Sequence, residues 1–432
     1  MSDIRTNFDQ TMIRLAGRMD EVLDYPLTIF GAIVSMPETG WAGFKKVALR
    51  PFALRDLKKR LIIRATDRDE EAAERQVLAD EVDACLAKGD WLELAASFRH
   101  LDQTRNATRS GVRHLEIAMQ YLRARTSVSF EEPNGCSYEM TFDFSPELIS
   151  ELTELQEDNP DNYALAAILA RLHLDCGWAA RGSRWADAVG ESGWVAMNEH
   201  YHRARNIITR FDPVAYNSPL LAEIQYRLCV GLENGRERLL ESFTDWSDLD
   251  PTNLTVYRQH AYHCLPRWFG DYKTLEQQAE AARLATRDAF GDAAYTVMMM
   301  HALRFEDGAA HYLKPDLFLS GLDSLLQTFE SNPYRFTATC SELQDALEHQ
   351  YYHLLGAKRA KKRVAKVIRA GLPAIVRRHL SVFCSVAWDQ PEDDFLIAVA
   401  PAFSDELDSG ATVAVTARGI NVIDPEEEAV AA

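Results

Sequence analysis

The sequence predicts a mainly α-helical fold, an irregular array of paired helices with one small β-hairpin or sheet element. Three observations support this prediction. Apolar residues recur every three to four positions through most of the chain, which is typical of amphipathic helices. The apolar period changes to two only between Thr126 and Phe144 and again near the C-terminus. Asx-Pro pairs recur between the helical stretches and mark their boundaries.

Composition limits the classes of protein to consider. The chain has 432 residues, of which 47% are hydrophobic, so it is long enough for two or three domains or one long repeat array. Its formal net charge of −18 disfavours nonspecific binding to nucleic acid or to anionic lipid outside local basic patches.

The cysteines and the N-terminus indicate a cytoplasmic location. The 7 cysteines are scattered, odd in number and without a C-x-x-C pair, so they are interpreted as buried free thiols in a reducing compartment. The N-terminus is charged throughout and lacks the apolar core of a signal peptide. The most apolar early run, Tyr25 to Pro37, is too short to span a membrane. We therefore expect a soluble protein without a transmembrane segment.

Residues 1–125 are predicted to be an N-terminal helical region. Its first amphipathic face carries apolar side chains at helical spacing, namely Phe8, Met12, Leu15, Met19 and Val22. A second helical pair is expected over Asp67 to Leu86 and Trp91 to Leu101, joined by a turn at Lys88 to Asp90.

Residues 126–144 carry the clearest β-hairpin pattern in the chain. Two alternating stretches, TSVSFEE and CSYEMTFDF, flank a PNG turn. Ser145 followed by Pro146 then provides a helix N-cap and a proline at the first helical position, so helix resumes there.

Residues 145–356 are predicted to be a helical repeat region. The Asx-Pro pairs begin at Asn159, Asp212, Asp250 and Asn332, and their prolines are 53, 38 and 82 residues apart. The last separation is about two steps of roughly 40, a quasi-period that stacked helix pairs would produce. The longer first step has room for an insertion in the loop Ala179 to Trp194.

Two stretches resemble tetratricopeptide (TPR) repeats. LDPTN, from Leu249, is similar to the link between TPR units, and Trp91, Leu94, Ala95 and Phe98 fall on the W-x2-L-G-x2-Y spacing of that family. The phrase LPRWFGDYKTLEQQA is also similar to a group of bacterial TPR-like proteins with Pro, a basic residue and Trp before a glycine turn. The resemblance implies an α-solenoid that binds a protein or peptide partner.

Within this unit, the residues predict two helices around a turn. Asp250 with Pro251 is assigned to the start of the first helix, and Pro266 ends that helix near Cys264. Gly270 supplies the turn to the second helix. Two apolar stripes are expected to face each other, one of Leu254, Tyr257, Ala261 and Cys264 and one of Leu275, Ala279 and Ala282. His260 and His263 share a face and are expected to be buried. Arg267 and Trp268 form a candidate partner-binding pair, although Trp268 as a plug between the helices is the favoured interpretation.

The C-terminal part is divided by charge into residues 357–390 and residues 391–432. The first is a basic amphipathic helical segment with nine bases and no acid between them: Lys358, Arg359, Lys361, Lys362, Arg363, Lys366, Arg369, Arg377 and Arg378. The second holds ten acids against one base, with short strands expected over Ala411 to Ile423 that pair with the hairpin or form a separate sheet. The basic helix either pairs with the acidic segment or binds an external partner.

No motif in the sequence indicates a known chemistry, and no cofactor is predicted. Phosphate loops, dinucleotide motifs and metalloprotease motifs are absent. His349 and His353, four residues apart on a predicted helix, are the best metal-like pair, but a third ligand is not evident.

Three functions follow from these patterns. The favoured hypothesis is a helical-repeat scaffold or adaptor that binds a protein partner and has no catalytic activity of its own. The first alternative is an adaptor for nucleic acid or an anionic membrane surface, acting through the basic segments 45–64 and 358–378. The second alternative is a metal-dependent hydrolase with a site between repeats.

Overall fold

A computed structural model describes residues 50–66, 70–132, 139–232, 235–329, 332–354, 359–380, 382–388, 392–416 and 419–423. The chain divides into two compact units. The smaller consists of Met1–Ile62, Phe403–Ala414 and Ile420–Ala432, and the larger of Ile63–Ala402 and Val415–Gly419. The predicted helix at 8–22 and the apolar run Tyr25 to Pro37 lie outside the described residues.

The described chain is mainly helical with small sheets, as predicted. Up to the second half of the hairpin, its elements are α1 (Arg50–Arg60), β1 (Leu61–Ile63), β2 (Ala65–Thr66), α2 (Glu70–Lys88), α3 (Trp91–Thr104), α4 (His114–Thr126), β3 (Ser129–Glu131) and β4 (Thr141–Asp143). The helices that follow are α5 (Pro146–Asp158), α6 (Tyr163–Arg181), α7 (Glu191–Ile208), α8 (Pro219–Gly231), α9 (Gly235–Leu249), α10 (Leu254–His263), α11 (Tyr272–Ala285) and α12 (Arg287–Phe290). The remaining elements are α13 (Ala293–Phe305), α14 (Pro315–Thr328), α15 (Pro333–Leu354), α16 (Arg359–His379), β5 (Phe383–Cys384), α17 (Glu392–Val399), α18 (Ser404–Asp408), β6 (Thr412–Thr416) and β7 (Gly419–Ile423). No helix of the described ranges is long and apolar enough to cross a membrane.

Short polar side chains fix where several of these helices begin. The Asp90 carboxylate accepts the Glu93 amide at the start of α3, and the Ser145 hydroxyl accepts the Leu148 amide at the start of α5. Asn162, Ser218 and Asp271 cap α6, α8 and α11 in the same way. Each cap satisfies an amide that has no partner within its own helix. The sequence-based predictions of α3 and of the Ser145-Pro146 start are confirmed.

The Asx-Pro pairs lie at helix connections, but they do not all start helices. Asn332 caps α15 directly, because its side-chain oxygen accepts the Arg335 amide at 3.0 Å. Asp212 instead accepts two amides within a turn, and α8 begins only at Pro219. The assignment of Asp250 to the start of α10 is wrong, because Asn253 is the cap and Asp250 is ion-paired elsewhere.

The predicted β-hairpin is confirmed. Strands β3 and β4 pair antiparallel, with Phe130 opposite Phe142, and Phe142 is buried while Phe130 is exposed. The C-terminal strands form a separate three-stranded sheet in the order β1-β6-β7, one of the two outcomes that the sequence left open. A third small sheet pairs β2 with β5 in parallel.

Two helices that are buried on all sides and mostly apolar form the interior of the larger unit. In α6 every residue from Tyr163 to Gly177 is buried, and in α13 every residue from Ala293 to Leu303 is buried. Helices α3, α5, α7, α8 and strand β4 pack around α6, whereas α10, α11, α14 and α15 pack around α13. A helix without a polar face must be surrounded by other elements, so these two helices organise the packing.

Helices α10 and α11 do not form the expected facing pair. Their apolar stripes are buried, as predicted, but both helices pack principally against α13. The reason is that α13 offers an apolar surface on all sides and so covers both stripes at once. The TPR resemblance of this unit stays a prediction.

The interior contains several neutral histidines. His260 and His263 are buried on α10, as predicted, and the Tyr226 hydroxyl lies 3.3 and 3.0 Å from their Nδ1 atoms. The His260 ring stacks on Phe243 with centroids 3.8 Å apart. Burial lowers the pKa of His260 to about 3, helped by its neighbour His263, and burial lowers the pKa of His263 to about 3 as well.

These histidines make stability depend on pH. Each stays neutral in the folded protein, while the unfolded chain binds a proton below pH of about 6.5. Stability is therefore fully present above that pH and falls as the pH drops from about 6.5 towards the folded pKa. In this window, each histidine lowers the unfolding free energy by roughly 1.4 kcal/mol for every pH unit of acidification.

We expect His260→Gln to reduce the pH dependence of the unfolding free energy by about one proton, measured by urea unfolding at pH 7.5 and 5.5.

The control is His100→Gln, since His100 is exposed. The control variant should keep the wild-type pH dependence. An unchanged pH dependence in the His260 variant would show that this histidine titrates normally in the folded state.

Candidate functional site

A cavity of about 310 Å³ lies in the larger unit and is the candidate site. We call it the central pocket. Its walls come from α3, α4, the loop and strand around Met140, α6, α8, α9 and the start of α10. The apolar lining includes Leu115, Met119, Met140, Phe142 and Ile224. The polar lining is almost entirely charged, which is uncommon for a pocket of this size.

Buried arginine–carboxylate pairs form the deep wall of the central pocket. Arg123 on α4 donates from Nε and Nη2 to the two carboxylate oxygens of Asp175, both at 2.6 Å. Arg171, one turn earlier on α6, donates to Asp175 at 3.4 Å and to Glu223 at 3.0 Å. Bidentate geometry of this kind fixes both side chains, so α4, α6 and α8 are held in register.

Glu139 joins this network from the hairpin. Arg227 on α8 donates to its two oxygens at 2.8 and 3.2 Å, and the Gln259 amide donates to it from α10. Burial raises the pKa of Glu139, but the arginines Arg227 and Arg171 outweigh that effect and hold the pKa well below its usual range. Glu139 is therefore a carboxylate at neutral pH.

The opposite wall contains a second set of polar contacts. Arg113 pairs with Asp250 through Nε at 2.9 Å, and its Nη2 also donates to Thr252. Buried Asp102 accepts from the Tyr163 hydroxyl at 3.0 Å and from the Leu220 amide at 2.8 Å. Desolvation raises the pKa of Asp102, although these donors counteract it. The wall is thus preorganised by contacts within the protein.

A smaller cavity of about 60 Å³ shares Glu139, Met140, Arg171 and Arg227 with the central pocket. Its other walls include Trp178, Tyr262 and Trp268. The Trp268 ring lies 6.0 Å from Trp178 and 5.8 Å from Tyr262, measured between centroids. Trp268 therefore packs against α6 and α10, and its interpretation as a plug between α10 and α11 stays a prediction.

The outer side of this aromatic cluster is an exposed surface of tryptophan and arginine. The Arg181 guanidinium lies 5.1 Å from the Trp178 ring centre and 5.0 Å from that of Trp194. Arg267 lies 5.7 Å from the Trp185 ring centre and is held by Glu306 at 2.7 Å. We call this the tryptophan–arginine surface, and it consists of Trp178, Arg181, Trp185, Trp194, Arg267 and Trp268.

The described lining of the two cavities contains none of the other site residues that the sequence predicts. Lys358 lies outside the described residues. Arg359, Lys361, Lys362, Arg363 and Lys366 belong to α16, and His349 and His353 to α15, but their side chains also lie outside the description. At the end of α16, His379 pairs with Asp323 of α14 at 2.8 Å. The nucleic-acid or membrane interpretation of the basic segments stays a prediction.

The described side chains offer little reactive chemistry. Among them, no group of three or more histidines, cysteines or carboxylates is placed to hold a metal ion. The described cysteines are free thiols, and burial raises the pKa of Cys176, Cys264 and Cys340 to about 12. Such thiols are protonated at neutral pH and are poor nucleophiles.

Sequence analysis missed the charged network of the central pocket, although one signal was present. Arg171 and Asp175 occur four residues apart inside the otherwise apolar helix α6. Charged side chains in a helix that is buried on all sides must find partners. Their partners Arg123, Glu139 and Glu223 are distant in sequence, so the sequence alone does not reveal them.

Comparison with protein-family models, with curated proteins and with solved structures finds no match to this chain.

We expect Arg123→Met to destabilise the protein by about 3 kcal/mol, because it leaves the buried Asp175 carboxylate with Arg171 as its main cation. Thermal or urea unfolding measures the effect. The matched control is Arg125→Met, two residues away, whose partner Asp83 is exposed. That change should cost less than about 1 kcal/mol. Equal losses in the two variants would contradict the buried network.

Proposed function

We propose that the protein is a helical scaffold or adaptor that binds a protein partner through the tryptophan–arginine surface. The observation that carries this proposal is the exposure of two large aromatic side chains beside arginines. Trp185 is 56% exposed and Trp194 is 40% exposed, in the same surface as Arg181 and Arg267. Contiguous exposed apolar surface of this kind is typical of interaction sites.

The residue types suit binding. Tryptophan and arginine are the side chains most enriched at the energetically important positions of protein interfaces. A tryptophan buries roughly 150–250 Å² when it is covered, so two of them supply a large part of the apolar core of an interface. The arginines hold the rings in place through contacts within the protein. Arg267 donates to Glu306 and to the Phe305 carbonyl, and Arg181 donates to the carbonyls of Gly182 and Arg184. The complementary partner is a segment with apolar side chains that cover the tryptophan rings.

The surface is held in place before binding. Arg267 is fixed by its ion pair with Glu306 and by its donation to the Phe305 carbonyl at 3.1 Å. Trp178 and Trp268 pack edge to face beneath it. Side chains that are already ordered lose less conformational entropy when a partner binds, which favours affinity. The proposed binding surface therefore contains the candidate pair Arg267 and Trp268 together with four further residues.

We expect Trp185→Ala and Trp194→Ala each to reduce partner retention at least tenfold. Each change removes an exposed aromatic contact of the kind that costs about 2 kcal/mol or more at an interface. The measurement is quantitative mass spectrometry of proteins retained from a lysate of the expressing cells, with wild type and variants immobilised in parallel. Because neither ring is part of the buried core, the thermal unfolding temperature should change little.

The control is Leu240→Ala, which removes another exposed apolar side chain. A partner consistent with the proposal is retained by wild type and by the Leu240 variant and is lost from both tryptophan variants. If every protein retained by wild type is retained equally by the tryptophan variants, or if nothing is retained saturably, the proposed surface is rejected.

A further inference from the structure

The described lining of the central pocket holds five carboxylates and five arginines. In the network around Arg171 the arginines are deeply buried, with Arg171, Arg123 and Arg227 at 5%, 9% and 15% exposure. Two of the carboxylates they bind are more accessible, with Glu223 at 23% and Glu139 at 30%. On the opposite wall the order is reversed, since Asp250 is 3% exposed and its partner Arg113 15%. Most of these charges are therefore paired within the protein.

Glu116 adds a carboxylate of a different kind. It lies in the first turn of α4, is exposed, lines the pocket and accepts a hydrogen bond from the Thr255 hydroxyl at 2.8 Å. No ion pair joins Glu116 to any basic side chain of the described residues. The other pocket glutamates, Glu139 and Glu223, each pair with both Arg171 and Arg227. Desolvation raises the pKa of Glu116, while the Thr255 hydrogen bond acts against that effect. Glu116 is thus the lining glutamate that has no guanidinium bound to it.

The rest of the cavity fits a hydrocarbon chain. Leu115 and Met119 lie on the same helix as Glu116, and Met140, Phe142 and Ile224 complete an apolar lining. Glu116 and Gln120 are four residues apart on α4, so their side chains are neighbours on the same face of the helix. They place a carboxylate and a neutral amide next to each other in the pocket lining. A volume of about 310 Å³ is at the lower end of the range for small-molecule sites.

We propose that the central pocket binds a small organic cation, a guanidinium or primary ammonium group on a short aliphatic chain, with the cationic group on Glu116. The chain lies against Met119, Met140 and Phe142. The neutralised pairs of Arg227 with Glu139 and Glu223 form the polar floor. The ligand is either a free metabolite or a side chain of arginine or lysine on a partner, and the two sources share this chemistry.

Methionine methyl groups report on the pocket directly. In protein labelled with ¹³C at the methionine methyls, butylguanidinium and butylammonium should each shift the Met119 and Met140 signals saturably. The signals of Met298 and Met299 should stay in place, because those residues are buried in α13 and do not line the pocket. Pentanoate, similar in size but negative, should produce no saturable shift.

Glu116→Gln tests the contact that defines the site. The glutamine oxygen can still accept from Thr255, so the fold is expected to persist while the charge is lost. We expect at least tenfold weaker binding of both cations, since a charged partner has been removed. The control, Glu157→Gln, changes an exposed glutamate on α5 that is not part of the pocket lining and should bind like wild type.

The outcomes separate the two sources of the cation. A blocked tripeptide, acetyl-Ala-Arg-Ala-amide, that binds more tightly than butylguanidinium and still depends on Glu116 would support the site and assign its ligand to a partner's side chain. Weaker binding of the peptide would support the site and assign it to a free small molecule. The proposal is overturned if the pocket methyls do not respond to the cations, if pentanoate binds equally well, or if Glu116→Gln leaves cation binding unchanged.

Discussion

The buried guanidinium of Arg171 is the constraint on which the larger unit depends. It projects from α6, a helix that is buried on all sides from Tyr163 to Gly177, so its charge has no access to bulk water. A charge in that position is tolerated only when carboxylates surround it. Asp175, Glu223 and Glu139 provide them from α6, α8 and the hairpin. One side chain thereby ties two other elements, α8 and the hairpin, to the central helix.

The same network explains why a cavity can persist inside a helical protein. Apolar side chains would close over a void of this size, because packing recovers the dispersion contacts that an empty space forfeits. Ion pairs with fixed geometry, such as Arg123 with Asp175, instead hold the walls apart. Arg171 and Arg227 also line the smaller cavity beneath Trp178 and Trp268, so the pocket and the tryptophan–arginine surface share one framework.

Local features of the fold could be predicted from the sequence, and tertiary pairings could not. Apolar period and capping residues determine the hairpin, the helix from Trp91 and the burial of His260. Both signals depend on residues that are close together in the sequence. The packing of α10 and α11 on α13 depends on which helix offers the larger apolar surface, and that is decided among elements tens of residues apart. The candidate pair Arg267 and Trp268 was found from its place at a glycine turn. Glu139 and Glu116 were not, because single glutamates on helices and loops are usually solvated.

The coupling between Glu139 and Arg227 is the most direct test of this account. A double-mutant cycle of Glu139→Gln and Arg227→Met, with unfolding free energies from urea denaturation, isolates the interaction between the two side chains. We predict a coupling energy of about 1–3 kcal/mol, since both groups belong to one buried network. A coupling energy below about 0.5 kcal/mol, as found for independent sites, would contradict the claim that the arginine network holds the central pocket together.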